Sequence, residues 1–175
     1  LLRSDLAKVI YHHLEKDIEV IFNEDITNLE QSENAVIVTF RNGTSRHFDL
    51  VVGADGLHSN VRSLVFGKEL QFENYYGYYT ASFTVETGVS AGTSFLTYNV
   101  PGKQAAVYSL NEQKAATFFI FSSPEKLSYD YPDIEKQKAI LSNQFKDAGW
   151  KCAELLSKMD AAPDFYFDVV SQIRM

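Results

Sequence analysis

An apolar run that ends abruptly in an acidic residue and a glycine constrains the fold of this chain more than any other feature. Residues 49–54 read Asp-Leu-Val-Val-Gly-Ala, and Asp55 and Gly56 follow directly. A short continuous apolar run is typical of a strand buried on both faces, and the glycine marks a sharp turn. Ser59 is placed to cap a short helix through Leu64. The segment is therefore either an ordinary strand-to-helix turn or the crevice at a strand's carboxyl end that binds nucleotide-like ligands.

The residues before this run predict a helix followed by a small β-meander. Ser4 is placed to cap a helix whose apolar positions follow 3.6-residue spacing, and Asn42-Gly43 is a strong hairpin turn because both residues tolerate positive φ. The predicted strands cover residues 18–22, 25–30, 35–40 and 44–48.

Beyond Phe66 the pattern changes to long alternating stretches separated by Gly, Pro and Asn-Glu turns, which predict an antiparallel sheet. Its strands are predicted at residues 75–85, 93–100, 105–110 and 115–122, followed by helices at 132–145 and 150–159 and a closing strand at 165–170. The chain is thus predicted to be mixed α/β (α+β), with a first domain at residues 1–66 and a second at residues 67–175. Most of the aromatic rings of the sheet are expected to pack on the helices.

The amino-acid composition limits the cellular compartment and the classes of binding partner that we expect. With 45% hydrophobic residues among 175, the chain can bury a sizeable core, and its net charge of -7 provides no basic surface for a nucleic acid. A lone cysteine, Cys152, suits a reducing cytoplasm. We expect no membrane span, because no apolar stretch approaches the required ~20 residues. The chain begins at Leu1 without an initiator Met, and we expect both of its ends to be cut from a longer protein.

The histidines and the lone cysteine predict neither a metal site nor a protein-based nucleophile. His12 and His13 are adjacent and face different sides of a helix, whereas His47 and His58 stand alone. No Ser/His/Asp or Cys/His arrangement is evident, so the catalytic residues stay unknown. Only His58, beside the Asp-Gly turn, is a candidate to line a nucleotide cleft.

Residues 53–62, which read Gly-Ala-Asp-Gly-x-x-Ser-x-Val-Arg, resemble the Asp-Gly motif of the single-component flavoprotein monooxygenases, the para-hydroxybenzoate hydroxylase superfamily. Arg3-Ser4-Asp5-Leu6 matches the Arg-x-x-Leu pattern with which that family begins a helix. Tyr76-Gly77-Tyr78 resembles the beginning of its substrate domain, but Ser82 or Phe83 replaces an arginine often found there. The family's glycine-rich loop and its Gly-Asp motif are absent from these 175 residues.

The resemblance implies a partial FAD/NAD(P)-binding Rossmann-like domain joined to an antiparallel-sheet substrate domain. It implies that Arg3, Asp55, Gly56 and Arg62 bind the cofactors, FAD and NAD(P)H, and that Tyr78 contacts the substrate. The parent enzyme is then expected to use dioxygen to hydroxylate an aromatic or polycyclic small molecule lying on the ring-rich face of the sheet, because the flavin supplies the redox chemistry.

Two alternatives stay open at this point. The parent could be a related flavoprotein, such as a halogenase or a prenyl-chain reductase, or the chain could be a non-catalytic binding module. In either case we expect the 175 residues alone to be inactive, because their partner, the remainder of the flavin domain, is missing.

Overall fold

The computed structural model of the chain describes residues 3–86 and 94–175. It consists of two compact units, Leu1–Glu69 and Leu70–Met175. Within the described residues, no helix is long and apolar enough to cross a membrane.

The first unit contains two helices and a three-stranded antiparallel sheet in the order β1-β2-β3. Its elements are α1 (Arg3–His12), β1 (Ile26–Gln31), β2 (Val36–Phe40), β3 (Ser45–Phe48) and α2 (Asn60–Phe66). The predicted hairpin is confirmed, since Gly43 has a φ of 84° and Asn42 Oδ1 accepts a hydrogen bond of 2.9 Å from the Thr44 amide. The meander lies against α2, where Asn60 Nδ2 donates 2.6 Å to the Ile26 carbonyl.

Two strand predictions in this unit are wrong. Residues 18–22 and residues 49–54 form no strand, and the side chains of Leu50 and Val52 are 75% and 76% exposed. The physical reason is that an extended segment becomes a strand only when a neighbour supplies hydrogen bonds, and no described residue pairs with either segment.

The second unit is a six-stranded antiparallel sheet in the order β6-β7-β8-β4-β9, with β5 paired to β8. The sheet confirms the predicted strands, including the closing one. The strands are β4 (Glu73–Ser82), β5 (Thr84–Glu86), β6 (Phe95–Val100), β7 (Lys103–Ser109), β8 (Lys114–Ser122) and β9 (Tyr166–Ile173), and the helices are α3 (Ile134–Phe145) and α4 (Cys152–Ser157). Thr93, at the start of a predicted strand, lies outside the described residues.

One face of this sheet forms the core. Phe119 is fully buried, stacks on Phe83 with a centroid distance of 5.7 Å and meets Phe145 of α3 edge-on at 4.9 Å. Leu141 of α3 and Leu155 of α4 belong to the same buried cluster. Because side chains alternate across a strand, the helices cover only this face. Most of the aromatic rings of the sheet lie here, which confirms the expectation that they pack on helices.

We call the opposite face of the sheet the open face. The α3 and α4 residues of the buried cluster pack on the core face and not on this one. The strand register assigns to it the residues Tyr78, Thr80, Phe95, Thr97, Asn99, Gln104, Tyr108, Phe118, Ile120, Tyr166 and Asp168. Four of its rings are substantially exposed, at 39% to 56%. The expectation that a substrate lies on the ring-rich face needs correction, because the face with most rings is the packed one and the accessible face mixes rings with polar groups.

Candidate functional site

The Asp-Gly turn is held by its own side chains. Asp55 Oδ1 accepts a hydrogen bond from Ser59 Oγ, and Asp55 Oδ2 accepts one of 3.0 Å from the Val61 amide. Ser59 Oγ in turn accepts a hydrogen bond of 3.0 Å from the Arg62 amide, which is the predicted cap of α2. The motif residues therefore fix the conformation of the turn and the start of the helix together.

These hydrogen bonds also set the ionisation of Asp55. Partial burial by itself raises the pKa of this carboxyl, but hydrogen bonds from the Ser59 hydroxyl and from backbone amides of the turn, Val61 first among them, together outweigh that effect and leave the pKa below its ordinary value. The carboxylate form is therefore the one that the turn stabilises. This agrees with a group that orders the turn rather than one that exchanges protons with a substrate near neutral pH.

Arg62 lies beneath the turn and supports it from inside. Its side chain is only 7% exposed, and its guanidinium donates to the carbonyls of Gly56, at 3.4 Å, and Leu57, at 2.5 Å. Its Nε is buried and has no hydrogen-bond partner among the residues that the structure describes. The described contacts of Arg62 are thus with the turn and with Glu69, 3.5 Å away.

The two glycines of the motif have different roles. Gly56 has a φ of +83°, and a Cβ built there would meet no described atom within 4 Å, so its backbone faces open space in the described part of the chain. Gly53 is close to α2, since a Cβ there would lie 2.8 Å from Val61 Cγ1. Gly53 therefore permits close packing, while Gly56 leaves the outer side of the turn accessible to a ligand.

Glu69 is a member of the site that sequence reasoning missed. It follows α2 in a short 3-10 turn and lies 3.0 Å from His58 Nδ1 as well as near Arg62. Its carboxylate thus links the exposed histidine to the buried arginine. No spacing rule for the motif includes position 69, so only the structure could find it.

The other two predicted site residues lie on different elements. Arg3 is the first residue of α1 and is exposed, which leaves its guanidinium available to a ligand. Tyr78 lies on β4 at the open face and is 44% exposed. Of the two residues that replace the family arginine, Ser82 donates to the Thr117 carbonyl at 2.7 Å and Phe83 is in the core. Neither supplies a charge to the open face.

Comparison with known proteins gives this arrangement a family. The FAD binding domain family matches residues 2–155. The chain is 41% identical over 175 residues to the uncharacterised protein Rv1260 of Mycobacterium tuberculosis, covering 100% of this chain and 47% of that protein. It is 32% identical over 176 residues to a flavin-dependent monooxygenase of Legionella longbeachae, covering 100% of this chain and 45% of the relative.

A solved structure resembles this chain over nearly all of its length. The crystal structure of the tetracycline destructase Tet(55) superposes with a TM-score of 0.89 at 32% identity, over 99% of this chain and 46% of that one. The chain therefore spans about half the length of the relatives it matches. Because the family match extends over most of the chain and includes the Asp-Gly turn, the chain belongs to the FAD binding domain family.

Proposed function

We propose that this chain is part of an FAD-dependent monooxygenase that uses NAD(P)H and dioxygen to hydroxylate an aromatic or polycyclic small molecule. The observation that carries the proposal is the conformation of the Asp-Gly turn. Hydrogen bonds from the Val61 amide and the Arg62 guanidinium hold the turn, and its outer side at Gly56 stays accessible to a ligand. Flavin-dependent monooxygenases among the relatives support the reaction class.

The residues of the turn fit an FAD contact. The backbone at Gly56 can approach a ligand without a steric barrier, and the Asp55 carboxylate is suited to accept hydrogen bonds from ligand hydroxyl groups. Arg3 would add a positive charge for the anionic part of the cofactor. Arg62, by holding two carbonyls of the turn, would preserve the shape of this contact.

When bound, FAD supplies the reduction and oxygen-transfer chemistry, and the protein supplies binding and orientation. On the open face, Tyr78 presents an exposed ring against which a flat substrate can stack. NAD(P)H as the reductant is part of the proposal, supported by the resemblance of residues 53–62 to a motif associated with both cofactors.

We also propose that the remainder of a longer polypeptide completes the cofactor site. The exposed apolar side chains of Leu50 and Val52 and the absence of buried residues in α1 support this, as does the greater length of the relatives. The 175 residues alone are then inactive and bind FAD weakly, because several hydrogen bonds worth roughly 1 kcal/mol or more each would be missing.

Two glycines of nearly identical conformation allow a matched test of the cofactor contact at the Asp-Gly turn. Gly43 and Gly56 have φ angles of +84° and +83°, and a Cβ at either would meet nothing within 4 Å. Alanine at either position therefore costs a similar amount of stability, about 1 kcal/mol. In a polypeptide extended to the length of the relatives, Gly56→Ala should reduce flavin content and NAD(P)H oxidation, whereas Gly43→Ala should leave both unchanged. Equal effects of the two substitutions would refute a cofactor contact at the Asp-Gly turn.

A further inference from the structure

Arg62 places a buried positive charge beneath the Asp-Gly turn. Its side chain is 7% exposed, and its guanidinium donates to the carbonyls of Gly56 and Leu57. Both acceptors are neutral, so they orient the guanidinium without balancing its charge. Its buried Nε has no hydrogen-bond partner among the described residues. Because a buried charge is destabilising unless it is paired, the turn requires a carboxylate close to Arg62.

Glu69 supplies that carboxylate, whereas Asp55 is engaged elsewhere in the turn. The two oxygens of Asp55 accept hydrogen bonds from Ser59 Oγ and from the Val61 amide. In the described part of the chain, the carboxylate within ion-pair distance of Arg62 belongs to Glu69, whose Oε2 lies 3.5 Å from Arg62 Nη2. At that separation charge attraction contributes more than hydrogen bonding, and the burial of Arg62 limits screening of the pair.

The chain after α2 holds Glu69 in this position. Gly67, at the end of α2, has a φ of 106°, in the left-handed region that favours glycine, and the chain then enters the short 3-10 segment Glu69–Gln71. Both carboxylate oxygens of Glu69 also lie 3.0 Å from His58 Nδ1. The His58 side chain is 39% exposed, so Glu69 contacts the Asp-Gly segment at one outer and one buried side chain.

The charge balance at Arg62 affects the backbone that a cofactor would meet. Arg62 holds the carbonyl of Gly56, which is the residue whose backbone faces open space in the described part of the chain. Without the charge of Glu69, the guanidinium would be better stabilised by water or by an anionic ligand than in its buried position. The carbonyls of Gly56 and Leu57 would then lose their donor, and the turn would lose the hydrogen bonds that fix its shape.

We propose that Glu69 is a positioning residue of the cofactor site. Its negative charge keeps Arg62 on the carbonyls of Gly56 and Leu57, and thereby keeps the outer side of the turn in the conformation that binds FAD. This inference rests on the proposed function, because it assigns to a residue outside the Asp-Gly motif a role in the same cofactor contact. Glu69 acts through Arg62 rather than by touching the cofactor.

Two substitutions separate the charge of Glu69 from its size. Glu69→Gln keeps the size and removes the charge, whereas Glu69→Asp keeps the charge and shortens the side chain by one methylene group. In a polypeptide extended to the length of the relatives, Glu69→Gln should weaken FAD binding about threefold to tenfold, and Glu69→Asp should weaken it less. If the size of the side chain determined its effect, the two variants would rank in the opposite order, and that result would overturn the inference.

The expected loss of affinity is opposite in sign to the effect of net charge alone. FAD is anionic, so removal of a negative charge near its site would by itself strengthen binding. Glu33→Gln, in the exposed turn between β1 and β2, makes the same change in net charge away from the Asp-Gly turn and should leave FAD affinity unchanged. Unchanged or tighter FAD binding by Glu69→Gln, with a normal thermal melt, would contradict the positioning role.

NMR of the 175-residue chain with isotope-labelled arginine tests the contact with Arg62 in the absence of flavin. The guanidinium N–H groups of Arg62 should exchange with water about fivefold faster or more in Glu69→Gln than in the unsubstituted chain, with Glu69→Asp in between. The signals of Arg46, which pairs with Glu19, should be the same in all three chains. Equal exchange at Arg62 in all three chains would overturn the inference, because Glu69 would not be holding the guanidinium.

The FAD titrations also distinguish failure of this inference from failure of the proposed function. An extended polypeptide that binds no FAD without any substitution would refute the proposed function, and with it the cofactor role of Glu69. An extended polypeptide that binds FAD tightly, and equally tightly with Glu69→Gln, would refute the positioning role alone.

Discussion

The two units of the chain differ in how much of their apolar sequence finds a partner among the described residues. In the second unit, Phe119 and Phe121 are fully buried between the sheet and α3. In the first unit, α1 buries no residue, and Leu50 and Val52 remain largely exposed. An apolar segment therefore has a predictable structure only when its partner is part of the same stretch of chain.

The largest expected effect comes from the core of the second unit. Phe119→Ala should lower the free energy of unfolding by about 3–5 kcal/mol, because it removes a fully buried ring that contacts Phe83 and Phe145. Leu50→Ala, in the exposed segment of the first unit, should change it by no more than about 0.5 kcal/mol. Scanning calorimetry records the unfolding of both units, and similar losses for the two substitutions would show that the contrast between the units is false.

The helix caps of the two units are expected to give smaller effects. Ser59 caps α2 and Asp133 caps α3, where Asp133 Oδ1 accepts a hydrogen bond of 3.0 Å from the Lys136 amide. Ser59→Ala should destabilise α2 by about 1–2 kcal/mol, since it also removes the donor to Asp55, and Asp133→Ala should cost α3 about 1 kcal/mol.

Amide hydrogen exchange measures each helix separately. Ser59→Ala should speed exchange about tenfold or more in residues 60–66 and leave residues 134–145 unaffected, with the reverse for Asp133→Ala. If Ser59→Ala left exchange in α2 unchanged, Ser59 would not be holding the turn.

The smallest effect is the response of the Asp-Gly turn to acid. The pKa of Asp55 is lowered from its ordinary value of 3.8, so its contribution to stability is present above that value and is lost as the pH falls through the lower, folded-state pKa. The Val61 amide donates to this carboxylate and should therefore titrate in NMR spectra with a midpoint below 3.8. Asp55→Asn should abolish the titration, and a midpoint at or above 3.8 would contradict the hydrogen-bond assignment.

Particular residues show what the sequence could and could not predict. The alternation of β7 and β8 and the Asn42-Gly43 turn predicted their elements correctly, because local patterning and turn chemistry decide them. The cap at Ser59 was likewise predictable from the position of this residue before a helix. Residues 49–54 were predicted as a strand and are not one, since pairing is a non-local property.

The candidate site was predictable only in part. The motif identified Asp55, Gly56 and Arg62, but the contact of Glu69 with Arg62 depends on how the chain returns after α2. The positions that share a face of the second unit's sheet depend on the pairing and register of its strands, which alternation alone does not fix.

The proposal that the cofactor site is incomplete within the 175 residues is tested by comparing FAD binding by this chain with FAD binding by a polypeptide extended to the length of the relatives. Titration followed by flavin fluorescence and calorimetry gives both dissociation constants. We expect the extended polypeptide to bind FAD tightly and the 175 residues to bind it several orders of magnitude more weakly. A micromolar or tighter dissociation constant for the 175-residue chain, or no FAD binding by the extended polypeptide, would contradict it.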